Sequence, residues 1–311
     1  MTKPSLSICE RDAQGRHQTL GMKEIIGYLV DSGEFEVTYH KDIVNHPKGI
    51  RGIIVYYNDK KILIDFWEYG TPAYTGEALG HNFDLIIKLQ HRAWTSLHHF
   101  HRACQRKNVF MGLTPEDREA YLAKFVPWTF FPSRIMLPFV DKENDFEPLP
   151  IERLAFFCGK GWKSRSSMVK KLQDEGIEWV QSSQERVRKG RPLTDEQYIN
   201  YMRTSKFGLV LHGRCSMFTE PKNRREIDYM MLKKPLLLNY KPFYYNSLEE
   251  GKHYIYINEN TALKNLENEY NINDIAQNGY QWYKDNASPK GVVSTFKQIM
   301  KDRFDDTGNQ E

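Results

Sequence analysis

Short continuous apolar runs alternate along this chain with segments whose apolar positions recur at helical spacing, the pattern of strands and amphipathic helices taking turns. In the first half, SLSIC (5–9), FEVTYH (35–40), RGIIVYY (51–57), KKILIDF (60–66) and FDLIIKLQ (83–90) read as strands, with NDK (58–60) turning the third into the fourth. GMKEIIGYLVDSG (21–33) reads as an amphipathic helix closed by Gly33, because glycine enters the left-handed conformation that ends helices. Trp94–Arg106 reads as helical and NVFMGL (108–113) as a further strand, ahead of a Pro-rich aromatic stretch, VPWTFFPSRIMLPFV (126–140).

The segment DKENDFEPLPIER (141–153) is charged, carries two prolines and has the composition of a linker. Beyond it the same alternation restarts. RLAFFCG (153–159), IEWVQ (177–181), FGLVLHG (207–213), PLLLN (235–239) and HYIYIN (253–258) read as strands. Between them lie the helices SSMVKKLQDEG (166–176), ending at Gly176, and TDEQYINYMRTS (194–205), with Thr194 as N-cap. Another helix begins near Pro221 and carries Arg224 and Arg225 in its first turn. Apolar strands alternating with helices imply parallel sheets covered on both faces. The expectation is an α/β protein of two doubly wound, Rossmann-type lobes with a cleft between them, residues 1–145 and 146–285. Ligands in such sheets bind outside the carboxyl ends of the strands, at helix N-termini.

Composition narrows this picture. A net charge of +4 and 27% charged residues suit an anionic small ligand better than a dedicated nucleic-acid surface. The four cysteines are scattered without a C-x-x-C pair, as in reduced cytoplasmic proteins. The N-terminus has no apolar signal-peptide region and no window approaches a membrane span. The expectation is a soluble, cytoplasmic protein.

Two basic helix starts carry the candidate chemistry. The helix dipole disfavours cations at its N-terminus by a few tenths to about 1 kcal/mol, yet Arg224 and Arg225 stand there, with His212 and Arg214 on the approach. A bound diphosphate would reverse that term and offer bidentate acceptors. Local pairing of Arg224 with Glu220 or Asp228 is the alternative. In FFCGKGWKSRSS, Gly159 and Gly161 permit close backbone approach, and Lys163, Arg165 and Ser166 follow at a helix start. KKILIDFWEYGTP places Asp65 at a strand end with Glu68 just beyond, and Glu77 stands further on. These carboxylates are candidates for a general base, though Asp65 pairing with Lys60 or Lys61 is equally open. Trp67 and Tyr69, with His91 and Arg92 after the next strand, are candidates to touch an acceptor. The histidines His98 and His101 lack accompanying carboxylates, so no metal site is expected.

The run YINYMRTSKFGLVLHG…NRREIDYMMLKKPLLLNYKPFYYNSLEEGKHYIYIN resembles the donor-binding lobe of GT-B glycosyltransferases, particularly exostosin-like enzymes. The resemblance implies that Glu226 holds a nucleotide ribose and that Arg225 or Arg224 holds the diphosphate. NGYQWYKDNASPKGVVSTFKQIM (278–300) resembles the family's C-terminal helix pair, whose last helix, here within 286–311, crosses back to the first lobe. GKGWKSR and KKILIDFWE are similar to stretches of the phage DNA β-glucosyltransferases, where a basic glycine loop grips the diphosphate and an aspartate is the base. Glu220 and Glu226 stand closer than the glutamate pair of retaining members, which points to inversion. The implied activity is transfer from a nucleotide sugar, a UDP-sugar first, to a glycan or other hydroxyl acceptor, with no essential metal or other cofactor. The alternatives are transfer to a hydroxylated base in DNA, and a non-catalytic module that binds a nucleotide or glycan.

Overall fold

The computed structural model describes residues 3–10, 22–41, 52–65, 83–88, 123–129, 136–140, 149–159, 163–181, 193–211 and 224–304, with single positions at 114, 116, 120 and 132. At 22–23, 159, 163–167 and 181 it describes the backbone alone. Two mostly parallel sheets flanked by helices make this an α/β protein. The chain divides into two units: one holds Met1–Thr129, Phe243–Tyr245 and Pro289–Glu311, the other Phe130–Pro242 and Asn246–Ser288. The linker boundary expected at 145/146 lies outside the described residues.

In the first unit the strands are β1 (Ser5–Cys9), β2 (Glu36–His40), β3 (Gly52–Tyr57), β4 (Lys60–Asp65), β5 (Leu85–Lys88) and β6 (Phe125–Pro127), and α1 (Met22–Asp31) joins β1 to β2. The sheet order is β2-β1-β3-β4-β5-β6. One expectation is corrected here: β3 runs antiparallel to both β1 and β4, so this sheet is mixed. The cause is local. Only Asn58 and Asp59 separate β3 from β4, and so short a connection can join antiparallel strands but not parallel ones. Asn58 takes the tight corner with φ of 52°. β6, at the sheet edge, was hidden in the Pro-rich stretch, because three residues ending in proline carry no readable alternation.

The last helix, Pro289–Phe304, belongs to this unit. Its Phe296 is wholly buried, with ring centroids 5.9 Å from Phe35, 6.1 Å from Tyr57 and 5.8 Å from Trp128. Lys297 pairs with Glu34 at 2.6 Å on the rim. Aromatic burial, at about 25 cal/mol per Å² removed from water, anchors the helix more firmly than the exposed ion pair does.

The second unit is the more regular. Its strands are β7 (Arg153–Gly159), β8 (Glu178–Gln181), β9 (Ser205–Val210), β10 (Leu236–Leu238) and β11 (Tyr254–Tyr256), in order β11-β10-β9-β7-β8 and all parallel. The helices longer than four residues, continuing from α1, are α2 (Lys163–Asp174), α3 (Asp195–Arg203), α4 (Arg224–Met231) and α5 (Ile272–Asn286), and the helix Pro289–Phe304 is α6. Alternation along β7 explains the two-sided cover. Ala155 and Phe157 pack with Met168, Val169 and Leu172 of α2. Phe156, pointing the other way, meets the rings of Tyr198 and Tyr201 from α3 and accepts a hydrogen bond from Tyr229 of α4.

Local signals account for the helix ends. Thr194 accepts from the Gln197 N–H at 3.1 Å while the Gln197 side chain accepts from the Thr194 N–H at 2.9 Å, a reciprocal cap on α3. Gly33 and Gly176 follow α1 and α2 with φ of 69° and 98°. Gly208 has a different reason to be glycine: a methyl group there would lie 2.7 Å from Cβ of the buried Tyr229. It lets α4 lie close on β9.

Among the described residues, no helix is long and apolar enough to cross a membrane, and no group of three or more His, Cys, Asp or Glu side chains comes together as a metal site.

Candidate functional site

In the second sheet the chain steps from β7 outward to β8, then returns to lay β9 on the other side of β7. The carboxyl ends of β7 and β9 therefore flank a topological switch point, where helices leave toward opposite faces and open a crevice. Both basic helix starts read from the sequence are here: α2 begins at Lys163 shortly after β7, and α4 begins at Arg224 after β9. Lys163, Arg165 and Ser166 occupy the first turn of α2 as backbone positions, and Gly159 ends β7. Gly161, His212 and Arg214 lie outside the described residues, as do Glu220 and Pro221.

Arg225 is one turn before Tyr229 on the same side of α4. Tyr229 packs against β9 at Gly208 and donates to the Phe156 carbonyl at 3.2 Å. Arg225 thus overhangs the strand ends, half-buried, its guanidinium carbon 5.9 Å from the Tyr198 ring centre, within cation–π range. Burial works against its charge, yet its pKa is raised, with Asp228 the carboxylate among its neighbours. The same cluster shifts its members. Burial pushes Tyr198 up to about 12 against the pull of Arg225. Burial also raises the Cys158 thiol, again opposed by Arg225.

Next in the chain, Glu226 has no exposed surface. It accepts a hydrogen bond from the Tyr240 hydroxyl, on the segment that follows β10. The sequence carried no sign that its phenol reaches the helix. Tyr198, Cys158 and Tyr240 were all missed, because each contributes through a tertiary contact that no local spacing encodes.

The first unit holds charge at the same edge of its sheet. Asp65 ends β4, and its partner is Lys88 at the end of β5, not Lys60 or Lys61 as the local alternative had it. The two side chains are fully buried, with Nζ 2.9 Å from Oδ2. Lys60 turns instead to Asp59. Glu68, Glu77, Trp67, Tyr69, His91, Arg92, His98 and His101 lie outside the described residues.

A groove of about 950 Å³ runs between the end of α1 and α6, lined by Tyr28, Glu34, Tyr57, Lys290 and Lys297 among others. Tyr57 pairs with Lys60, the first residue of β4, so the groove lies at the amino edge of the sheet. That is the opposite edge from the one where ligands of parallel sheets bind.

No protein-family model matches the chain, and no curated protein matches it. A guanidinium, the N-termini of two helices and a buried carboxylate at one switch point are the groups that an anion and a polyhydroxyl ligand would use.

Proposed function

We propose that the chain is a glycosyltransferase of the GT-B type, moving a sugar from a nucleotide donor, a UDP-sugar first, to an acceptor hydroxyl with inversion. The observation that carries this reading is Arg225, its guanidinium 5.9 Å from the Tyr198 ring centre at the ends of β7 and β9, with Glu226 beside it. An arginine set at a helix start, where the dipole opposes it, is explained by a diphosphate that accepts from both. In the reaction the acceptor oxygen attacks the anomeric carbon as the bond to the diphosphate breaks. A carboxylate takes the acceptor proton. Arg225 and the basic positions Lys163, Arg165 and Arg214 stabilise the departing charge.

The base must come within hydrogen-bond reach of the acceptor. Asp65 is fully buried and paired with Lys88, so this reading assigns the base to Glu68, three residues on. The burial of Asp65 is also the one observation that favours a non-catalytic nucleotide-binding module.

A screen of sugar nucleotides by thermal unfolding tests the proposal. At one hundred times its dissociation constant the true donor stabilises by roughly 2.7 kcal/mol. Release of free nucleotide on adding hydroxyl acceptors, DNA with hydroxylated bases among them, then separates enzyme from module. Absence of stabilisation by every nucleotide would overturn both.

A further inference from the structure

We propose that Tyr240 is a specificity-determining residue of this site: its hydroxyl stands in for a ribose hydroxyl on Glu226, so a nucleotide enters by exchange. The inference rests on the reading of Glu226 as the ribose ligand. Glu226 is 0% exposed and Tyr240 8%, so a ribose cannot reach the carboxylate while the phenol is in place. A buried carboxylate demands hydrogen-bond donors, and the Tyr240 O–H supplies one. A ribose hydroxyl is the same kind of donor, neutral and of the same reach, so the exchange leaves the buried charge satisfied throughout. Ligands lacking a hydroxyl at that point cannot complete it and would leave Glu226 short of a donor.

The chain around Tyr240 suits withdrawal. β10 ends at Leu238, and Asn239 to Phe243 form neither helix nor strand. Tyr240 can therefore leave without breaking a ladder bond. The segment is held further on, where Tyr244 is 1% exposed and Tyr245 donates to Asp302.

The test is calorimetric titration of UDP and GDP into wild type, Tyr240→Phe and Glu226→Gln. Tyr240→Phe keeps the ring and removes the competing hydroxyl. It should bind the preferred nucleotide roughly tenfold more tightly, the effect of one charge-assisted hydrogen bond no longer surrendered on binding. Glu226→Gln should bind more weakly than wild type. Equal or weaker binding by Tyr240→Phe, with wild type binding and Glu226→Gln impaired, overturns the exchange and leaves the ribose assignment standing. Glu226→Gln binding as tightly as wild type, or no binding by any of the three, overturns both. Hydrogen exchange on the wild type gives a second readout that does not depend on the variant folding. Amide exchange across 239–243 should rise on adding UDP or GDP at saturation, and no rise in a saturated protein contradicts the proposal.

Discussion

Both sheets bring buried charge to their carboxyl edges, and they balance it in different ways. In the first unit Asp65 and Lys88, paired across β4 and β5 with no exposed surface, neutralise one another. In the second, Glu226 accepts from the neutral phenol of Tyr240, and Arg225 lies over the neutral ring of Tyr198. The difference sets what each edge can do. Separating Asp65 from Lys88 would strand two ions in a low-dielectric interior, at a cost of several kcal/mol each. Replacing one hydroxyl donor on Glu226 by another strands nothing. The first arrangement is an anchor between strands, and the second, on the proposed reading, is a site that can change partners.

The largest expected effect breaks the anchor. Lys88→Met or Asp65→Leu alone leaves one buried ion and should cost about 3–5 kcal/mol, while the double variant should recover most of that loss. Denaturant unfolding of the three variants measures it. If the double variant is as unstable as the singles, the pair is more than a mutual neutralisation. Next comes the surface on which the second site is built. Gly208→Ala pushes a methyl into the buried Tyr229 ring and should cost about 1–3 kcal/mol. It should also weaken nucleotide binding, because Tyr229 sets the height of α4 and hence of Arg225. Thr194→Ala removes half of the reciprocal cap on α3, the helix that carries Tyr198, and should cost about 1 kcal/mol in thermal unfolding.

The smallest effect is a control outside both edges. His253 accepts from the Glu249 N–H through Nδ1 at 2.9 Å, which requires the neutral ring. Burial, and then Lys252, push its pKa below the ordinary 6.5, against a weaker pull from Glu249. The unfolded chain therefore takes up this proton first as pH falls. The contribution of His253 is full above about 6.5 and declines as pH drops through that value. The difference in melting temperature between wild type and His253→Asn should narrow from pH 8 to about pH 5. A constant difference would show that the ring is not held neutral.

What could be read from the sequence follows the range of the interactions involved. Thr194, Gly33 and Gly176 announce themselves because caps and left-handed turns are settled within a few residues. The strands of the second unit were legible because parallel strands buried on both faces are continuously apolar, as LAFF and GLVL are. The antiparallel course of β3 follows from the two-residue link at Asn58 and Asp59, a local signal outweighed by the surrounding strand–helix alternation. Lys88 read as an ordinary charged residue in FDLIIKLQ because its partner is far away in the chain. At the candidate site the two basic helix starts were visible, while the ring under Arg225 and the phenol on Glu226 were not. Register and strand order decide those contacts, and neither is written in local spacing.

The central claim is that the switch point between β7 and β9 holds a nucleoside diphosphate through Arg225. Titration of UDP and GDP into Arg225→Lys and Arg224→Lys tests it most directly. Successive helix positions point about 100° apart, so only one side chain can serve the strand ends squarely, and a lysine cannot reproduce the two-pronged grip of a guanidinium. The account predicts roughly a tenfold or greater loss of affinity for Arg225→Lys, about 1.4 kcal/mol or more, and little change for Arg224→Lys. Wild-type affinity in Arg225→Lys would contradict it.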